Sequence, residues 1–250
     1  MRILSVLLFA LVLFSCSQTK MLQKSLQNYR APMGYLYDSK IIDGPKNDSL
    51  IIWVNNKSLD SLTTVTKLKG KVYPFIVFTY VESNMGVKLG QSSMEQTYDD
   101  FFATSLADES ERSGSFTISN TSSSDSLYTL DIEIDTCTTN SKYQHSTTAL
   151  FLFFAYSVSY AERGFPAQTT LKVTTKLRKG DAVIAERTYA VDRTQPFLNQ
   201  NMVSVDRLRA DFTANMVESL SLSTKQCIEE IIQDVNSDLQ TTNQLRTQNQ

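Results

Sequence analysis

Two short segments of clean alternation constrain the fold more than any other feature of the chain. From Leu127 to Asp135, residues Tyr128, Leu130, Ile132 and Ile134 fall on one side, and Thr129, Asp131, Glu133 and Asp135 on the other. Between residues 170 and 178, Leu171, Val173, Thr175 and Leu177 share a side, and Lys172, Lys176 and Arg178 line the opposite one. Side chains alternate with a period of two along a strand, so each segment is a strand with one buried and one wet face. An acidic row beside a basic row is a favourable cross-strand arrangement. The two segments are therefore expected as neighbours in an antiparallel sheet. Lys179-Gly180-Asp181 then turns the second into another strand, Ala182 to Val191.

Other elements follow from composition and period. Ser49 to Val54 reads as a short strand, and Ser61 to Lys69 alternates weakly. Val72 to Val81 is apolar and β-branched almost throughout, which predicts a strand buried on both faces with Pro74 near its start or on an unpaired edge. A loop holding Gly86 and Gly90 follows. Ser92-Ser93-Met94-Glu95 has the spacing of a capping box and predicts a helix start. Met94, Tyr98, Phe101, Phe102 and Leu106 fall on one face of that helix, and Gly114 is its stop signal. Ser115 to Ser119 reads as a strand and Asn120 to Ser126 as a polar turn. From Val205 a helical stripe of Leu208, Phe212, Met216 and Leu220 continues through Cys227, Ile231 and Val235. Ser219 to Thr224 is weak helix sequence, so one interrupted helix or two are expected.

The fold class is therefore α+β: a mixed or antiparallel sheet with two helices on one face, in the order β-α-β-β-β-β-α. The run Pro74-Phe75-Ile76-Val77-Phe78, a Gly-containing loop and a helix from Ser93 resembles a small layer found in envelope lipoproteins. Residues 70–238 look like the amino-terminal domain of TolB, the curli-secretion lipoprotein and YajG-type lipoproteins. Sparse glycine and the long segment 136–168 depart from that pattern. The resemblance implies a non-enzymatic envelope role, as an adaptor or assembly subunit, and brings no catalytic residues.

The amino terminus sets the expected address. Met1-Arg2 carries one positive charge, an uncharged apolar run follows from Ile3 to Phe14, and then comes Ser15-Cys16. About twelve residues of helix span roughly 18 Å, too short for a hydrocarbon core of about 30 Å. The segment is thus a targeting signal. Leu13-Phe14-Ser15-Cys16 resembles the lipobox of bacterial lipoproteins, with Phe14 bulkier than usual. The resemblance implies removal of residues 1–15 and acylation of Cys16 by diacylglyceryl and palmitate-type chains. Ser17 is not the Asp that favours inner-membrane retention in that family, so the expected location is the outer membrane, facing the periplasm. Residues 16–33 read as a lipid-anchored tether, 34–239 as one domain and 240–250 as a disordered tail.

Composition narrows the chemistry. The net charge is −2, and loss of Arg2 leaves about −3, with no basic excess to point to nucleic acid. Cys137 and Cys227 remain, either as a disulfide or as buried free thiols. No metal or cofactor is expected, because no close Cys/His spacing, Walker loop, dinucleotide fingerprint or serine elbow occurs. His145 is the single histidine and sits in a polar stretch, Asn140 to Thr148, that reads as loop. Asp131, Glu133 and Asp135 read as a solvated face paired with Lys172 and Lys176.

Ala149 to Tyr160 contains no charge and includes Phe151, Phe153, Phe154 and Tyr156. Three readings compete for it: a buried core element, an aromatic loop dipping into the membrane interface beside the anchor, or a patch that docks a partner. The functional expectation is a lipid-anchored, non-enzymatic module that binds protein or envelope components. The alternative is a lipid- or small-molecule-binding accessory protein of an envelope transport system, with the same run lining a cavity.

Overall fold

A computed structural model describes residues 19–37, 49–75, 77–119, 128–152, 155–198 and 203–248. The expected signal and Cys16, the expected turn at Asn120 to Ser126, and Phe153 and Phe154 lie outside them.

The fold is α+β, built on a nine-stranded mixed sheet. The strands are β1 (Ser49–Asn56), β2 (Thr64–Lys67), β3 (Lys71–Pro74), β4 (Phe78–Lys88), β5 (Thr117–Ile118), β6 (Tyr128–Leu152), β7 (Ala155–Gly164), β8 (Ala167–Lys179) and β9 (Ala182–Gln195). Helix α1 covers residues 19–28; α2 is Tyr98–Ser113 and α3 is Val205–Gln248.

β6 is the spine. Its first half pairs parallel with β1 and antiparallel with β8, and its second half pairs antiparallel with β4 and β7. The alternating segments are neighbours as expected, with Asp131 opposite Lys176. Arg178 Nε donates to Asp131 at 2.7 Å and Lys176 reaches Glu186 at 3.0 Å. These pairs are exposed and fix register more than they add stability. Tyr128, Leu130, Ile132 and Ile134 are buried. A register shift between Ile134 and Thr136 then exchanges the faces, so Cys137, Thr139 and Tyr143 are the buried positions beyond it. From there the odd-numbered residues of β6 face the helices.

α3 is one continuous helix of 44 residues, and it runs through the segment expected to be a tail, to Gln248. Its predicted stripe from Leu208 to Val235 is buried. The weak stretch stays helical because its hydroxyls fold back: Ser221, Ser223 and Thr224 donate to the carbonyls of Val217, Ser219 and Leu220 at 2.9–3.0 Å. Being small, these residues let the helix lie close to the sheet, where Ser219 meets Thr169 at 2.8 Å.

Several expectations are corrected. Helix α2 starts at Tyr98, not behind Ser92-Ser93. Thr97 is its cap, accepting from the Asp100 amide at 3.3 Å. Gln91–Ser93 is a short 3-10 turn whose Ser92 and Ser93 hydroxyls bond Thr63 instead. The predicted stop is met: Gly114 has φ 70°. Gly86 lies inside β4, opposite Lys142, and not in a loop. The expected tether contains α1, which buries Leu22 and Leu26, followed by the buried Ala31 and Met33. Val72 to Val81 is not one buried strand but a hairpin, β3 into β4. Pro74, with no N–H to donate, ends the edge strand β3, and the Phe75 amide closes the turn onto the Phe78 carbonyl at 2.8 Å. Of the two states left open for Cys137 and Cys227, the structure has buried free thiols.

Candidate functional site

Two hairpins project side by side from the end of the sheet. β3–β4 turns at Phe75 to Phe78, and β6–β7 turns between Leu152 and Ala155. They share the β4–β6 ladder, Phe78 opposite Leu150 and Val81 opposite Thr147, so they form one four-stranded ribbon, β3-β4-β6-β7. Near its root, the face carrying Met85, Tyr143 and Gly164 is buried beneath α1 and α3. Farther out, the same face carries the half-buried Val81 and Ala149 and the exposed Val158, Tyr156 and Tyr160. The Glu162 side chain is 3% exposed, whereas Tyr160, Val158 and Tyr156 beyond it are 66%, 41% and 80% exposed. Among the described residues, the core face of the sheet therefore continues past the helices.

The opposite face of the ribbon tip is apolar too. Tyr73 lies 5.9 Å from Tyr80, and Phe75 stacks on Phe78 at 4.2 Å, with Phe75 and Leu150 exposed. Neither Val72 to Val81 nor Ser146 to Ala161 contains a charged residue. The first charges met on returning from the tip are Lys71 and Glu82 on one hairpin and Glu162 and Arg163 on the other.

Sequence reasoning placed only part of this surface. Tyr156 is exposed as a contact residue must be, and Phe151 stands opposite it in the ladder. Leu150 and residues 156–160 are exposed and Ala149 half-buried, so these positions are not core. Val72, Tyr73, Phe75 and Phe78 were expected in the core and are exposed. Their signal was in the sequence as a second uncharged apolar run, flanking a proline.

A buried polar cluster holds the ribbon's root. Arg209 of α3 donates to both oxygens of Glu162, at 2.9 and 2.5 Å. The Tyr143 hydroxyl also donates to Glu162. His145 Nδ1 lies 3.2 Å from the same carboxylate, and Arg209 reaches Ser25 of α1 at 3.2 Å. His145 is thus a half-buried strand residue, not a loop residue. Burial alone would push the Glu162 carboxyl up. Hydrogen bonds from His145, Arg209 and Tyr143, with the Arg209 charge, outweigh it and hold the group at about 2. The carboxylate is saturated with donors and stays ionised at neutral pH, which fits a strut better than a proton-transfer group.

A cavity of about 70 Å³ adjoins the strut, lined by Met21, Leu22, Met85, Tyr143, His145, Glu162 and Arg209. It has room for a few water molecules but is well short of the several hundred Å³ that small-molecule sites occupy. A larger cleft, between β9 and α3, is open and lined by Arg187, Tyr189, Glu230 and Asp234. Arg187 there pairs with Asp238 at 2.7 Å. No helix among the described residues is long and apolar enough to cross a membrane.

No protein-family model matches the chain, and no curated protein matches it. Among solved structures, it is similar to protein XCC0632 from Xanthomonas campestris, described by the family model DUF330, with 14% identity and a TM-score of 0.45 over 86% of this chain and 96% of that one.

Proposed function

We propose that the chain is a lipid-anchored, non-enzymatic module of the outer membrane, facing the periplasm, that engages envelope components through the tip of its double hairpin. The observation that supports this most is the continuation of the sheet's core face, uncharged and aromatic, beyond the helices that cover the rest of it. Monomeric proteins rarely leave a contiguous apolar patch of this kind uncovered unless something binds it. The buried strut gives the ribbon a stiff root, as a contact surface needs. The alternative, a lipid- or small-molecule-binding accessory protein of an envelope transport system, draws no support from the described cavity between sheet and helices, which at about 70 Å³ is too small for either ligand.

The anchor is tested by growth with labelled palmitate followed by separation of inner and outer membranes. The wild-type chain is expected to take up label and to band with the outer membrane, and Cys16→Ala to take up none. An unlabelled wild-type chain, or one banding with the inner membrane, contradicts the assignment.

A further inference from the structure

Helix α1, which begins three positions after the expected anchor, starts near the ribbon's root. Met21 and Leu22, near the start of α1, line the cavity at the ribbon's root beside Met85 and His145. Farther along, Gln27 donates to the Thr63 carbonyl, and Ala31 bridges Met94. Thr63 in turn bonds Gly90, past the far end of β4. Helix α1 therefore runs alongside β4, away from the hairpin turns, and its first residue faces them. Cys16 lies three positions before that residue, a reach of about 11 Å at most. Acyl chains on Cys16 would bring a bilayer to the ribbon, whatever else the module meets.

The ribbon also has the chemistry of that surface. Both faces are uncharged and carry aromatic side chains, Tyr156 and Tyr160 on one and Tyr73, Phe75, Phe78 and Tyr80 on the other, and such rings favour the boundary between headgroups and acyl chains. A protein partner would cover one face; a bilayer surrounds a projecting tip on both. Depth is limited by the backbone. β3 and β7 are edge strands of the ribbon, and their unpaired N–H and C=O groups are too costly to carry into the hydrocarbon centre. The arm from Ser146 to Leu152 is about 23 Å long, shorter than a tilted spanning strand.

Resting on the anchored-module reading, we propose that the double-hairpin tip inserts into the headgroup–acyl boundary of the phospholipid leaflet that receives the Cys16 chains. The protein thus touches its membrane at two points, one covalent and one aromatic, and the root of the ribbon is held at a fixed height above it.

The test is depth-dependent fluorescence quenching of the full-length chain, purified from membranes and reconstituted in phosphatidylethanolamine–phosphatidylglycerol vesicles. Trp53 is the one tryptophan, exposed and paired with Asp131 far back along β6. It is the internal control in the wild-type chain. In a Trp53→Phe background, Tyr156→Trp is expected to lose most of its emission to lipids brominated near the carbonyl end of the chains, while Trp53 in the wild type keeps its own. Adding Val158→Asp should abolish the quenching without changing the melting temperature. A Tyr156→Trp signal untouched by brominated lipid overturns the proposal, whether the residue emits as in water or as if buried against protein. Mass spectrometry of the same sample separates the two readings. Quenching in a chain that carries no acyl group sinks the anchor and leaves the tip. An acylated chain without quenching does the reverse.

Discussion

Arg209→Leu is expected to destabilise the protein by about 3–5 kcal/mol, the usual cost of removing one partner from a buried ion pair. The guanidinium is 17% exposed and the Glu162 side chain 3%, so solvent does little to compensate the carboxylate left behind. Tyr143 and His145 still donate to it, but neither replaces a bidentate Arg. For a chain of this size the loss lowers the melting temperature by roughly 10 °C. A second readout follows from linkage. In the wild type the Glu162 carboxyl is held at about 2, below its ordinary value of 4.5. Its contribution is therefore full above about pH 4.5 and is lost as the pH falls through 2. The deficit of the variant should shrink over that window, because protonation relieves the stranded charge. Circular-dichroism melts at pH 7 and pH 3 measure both. A deficit under about 1 kcal/mol at neutral pH would mean that the strut is ornamental.

Phe212→Ala is expected to cost about 3–5 kcal/mol as well, by leaving a cavity. The ring is fully buried where α3 crosses the ribbon's root. It meets Tyr143 edge-on at 5.0 Å and Phe197 edge-on at 5.7 Å. It also presses on the backbone of Gly164: a Cβ there would stand 2.7 Å from Phe212 Cδ2 and 2.5 Å from Phe197 Cε1. Sheet and helix are in direct contact at this point, so the void has little slack from which to fill. Leu198→Ala, on an exposed side chain nearby, should change stability by about 0.5 kcal/mol or less. Urea unfolding midpoints compare the two. Because Phe212 and Arg209 both act through Tyr143 and β7, the double variant should fall short of additivity.

The parts of the fold that were legible in sequence are those with one wet face. Strands 128–134 and 171–178 announce themselves because solvent demands polar residues at every second position. The α3 stripe is legible for the same reason at a helical period. Val72 to Val81 is expected buried, and Ala149 to Tyr160 is left open between core, membrane and partner contact, because an uncharged apolar run looks the same whether a second layer covers it or not. Val72 to Val81 and Ala149 to Tyr160 have the composition of doubly buried strands, and only the position of the helices shows that no described element covers them. Helix α1 was missed because a short polar segment with Leu22 and Leu26 one turn apart is too little periodicity to weigh. The choice between Ser92–Glu95 and Thr97–Asp100 as the α2 cap was settled by Thr63, which takes the serine hydroxyls for itself. The strut joins residues 47 positions apart, and no local pattern points from Glu162 to Arg209.

The central claim, that the ribbon tip is covered in the cell, is tested most directly by thiol accessibility. Cys137 and Cys227 are buried, and burial pushes both thiols well above their ordinary range, Cys137 to about 12. They should contribute little background labelling. Val158→Cys, probed with a charged maleimide, is expected to stay unmodified in intact envelopes and to react fully once detergent disperses them, whereas Ala190→Cys, on exposed β9, reacts in both. Equal reaction of Val158→Cys before and after detergent would contradict the account.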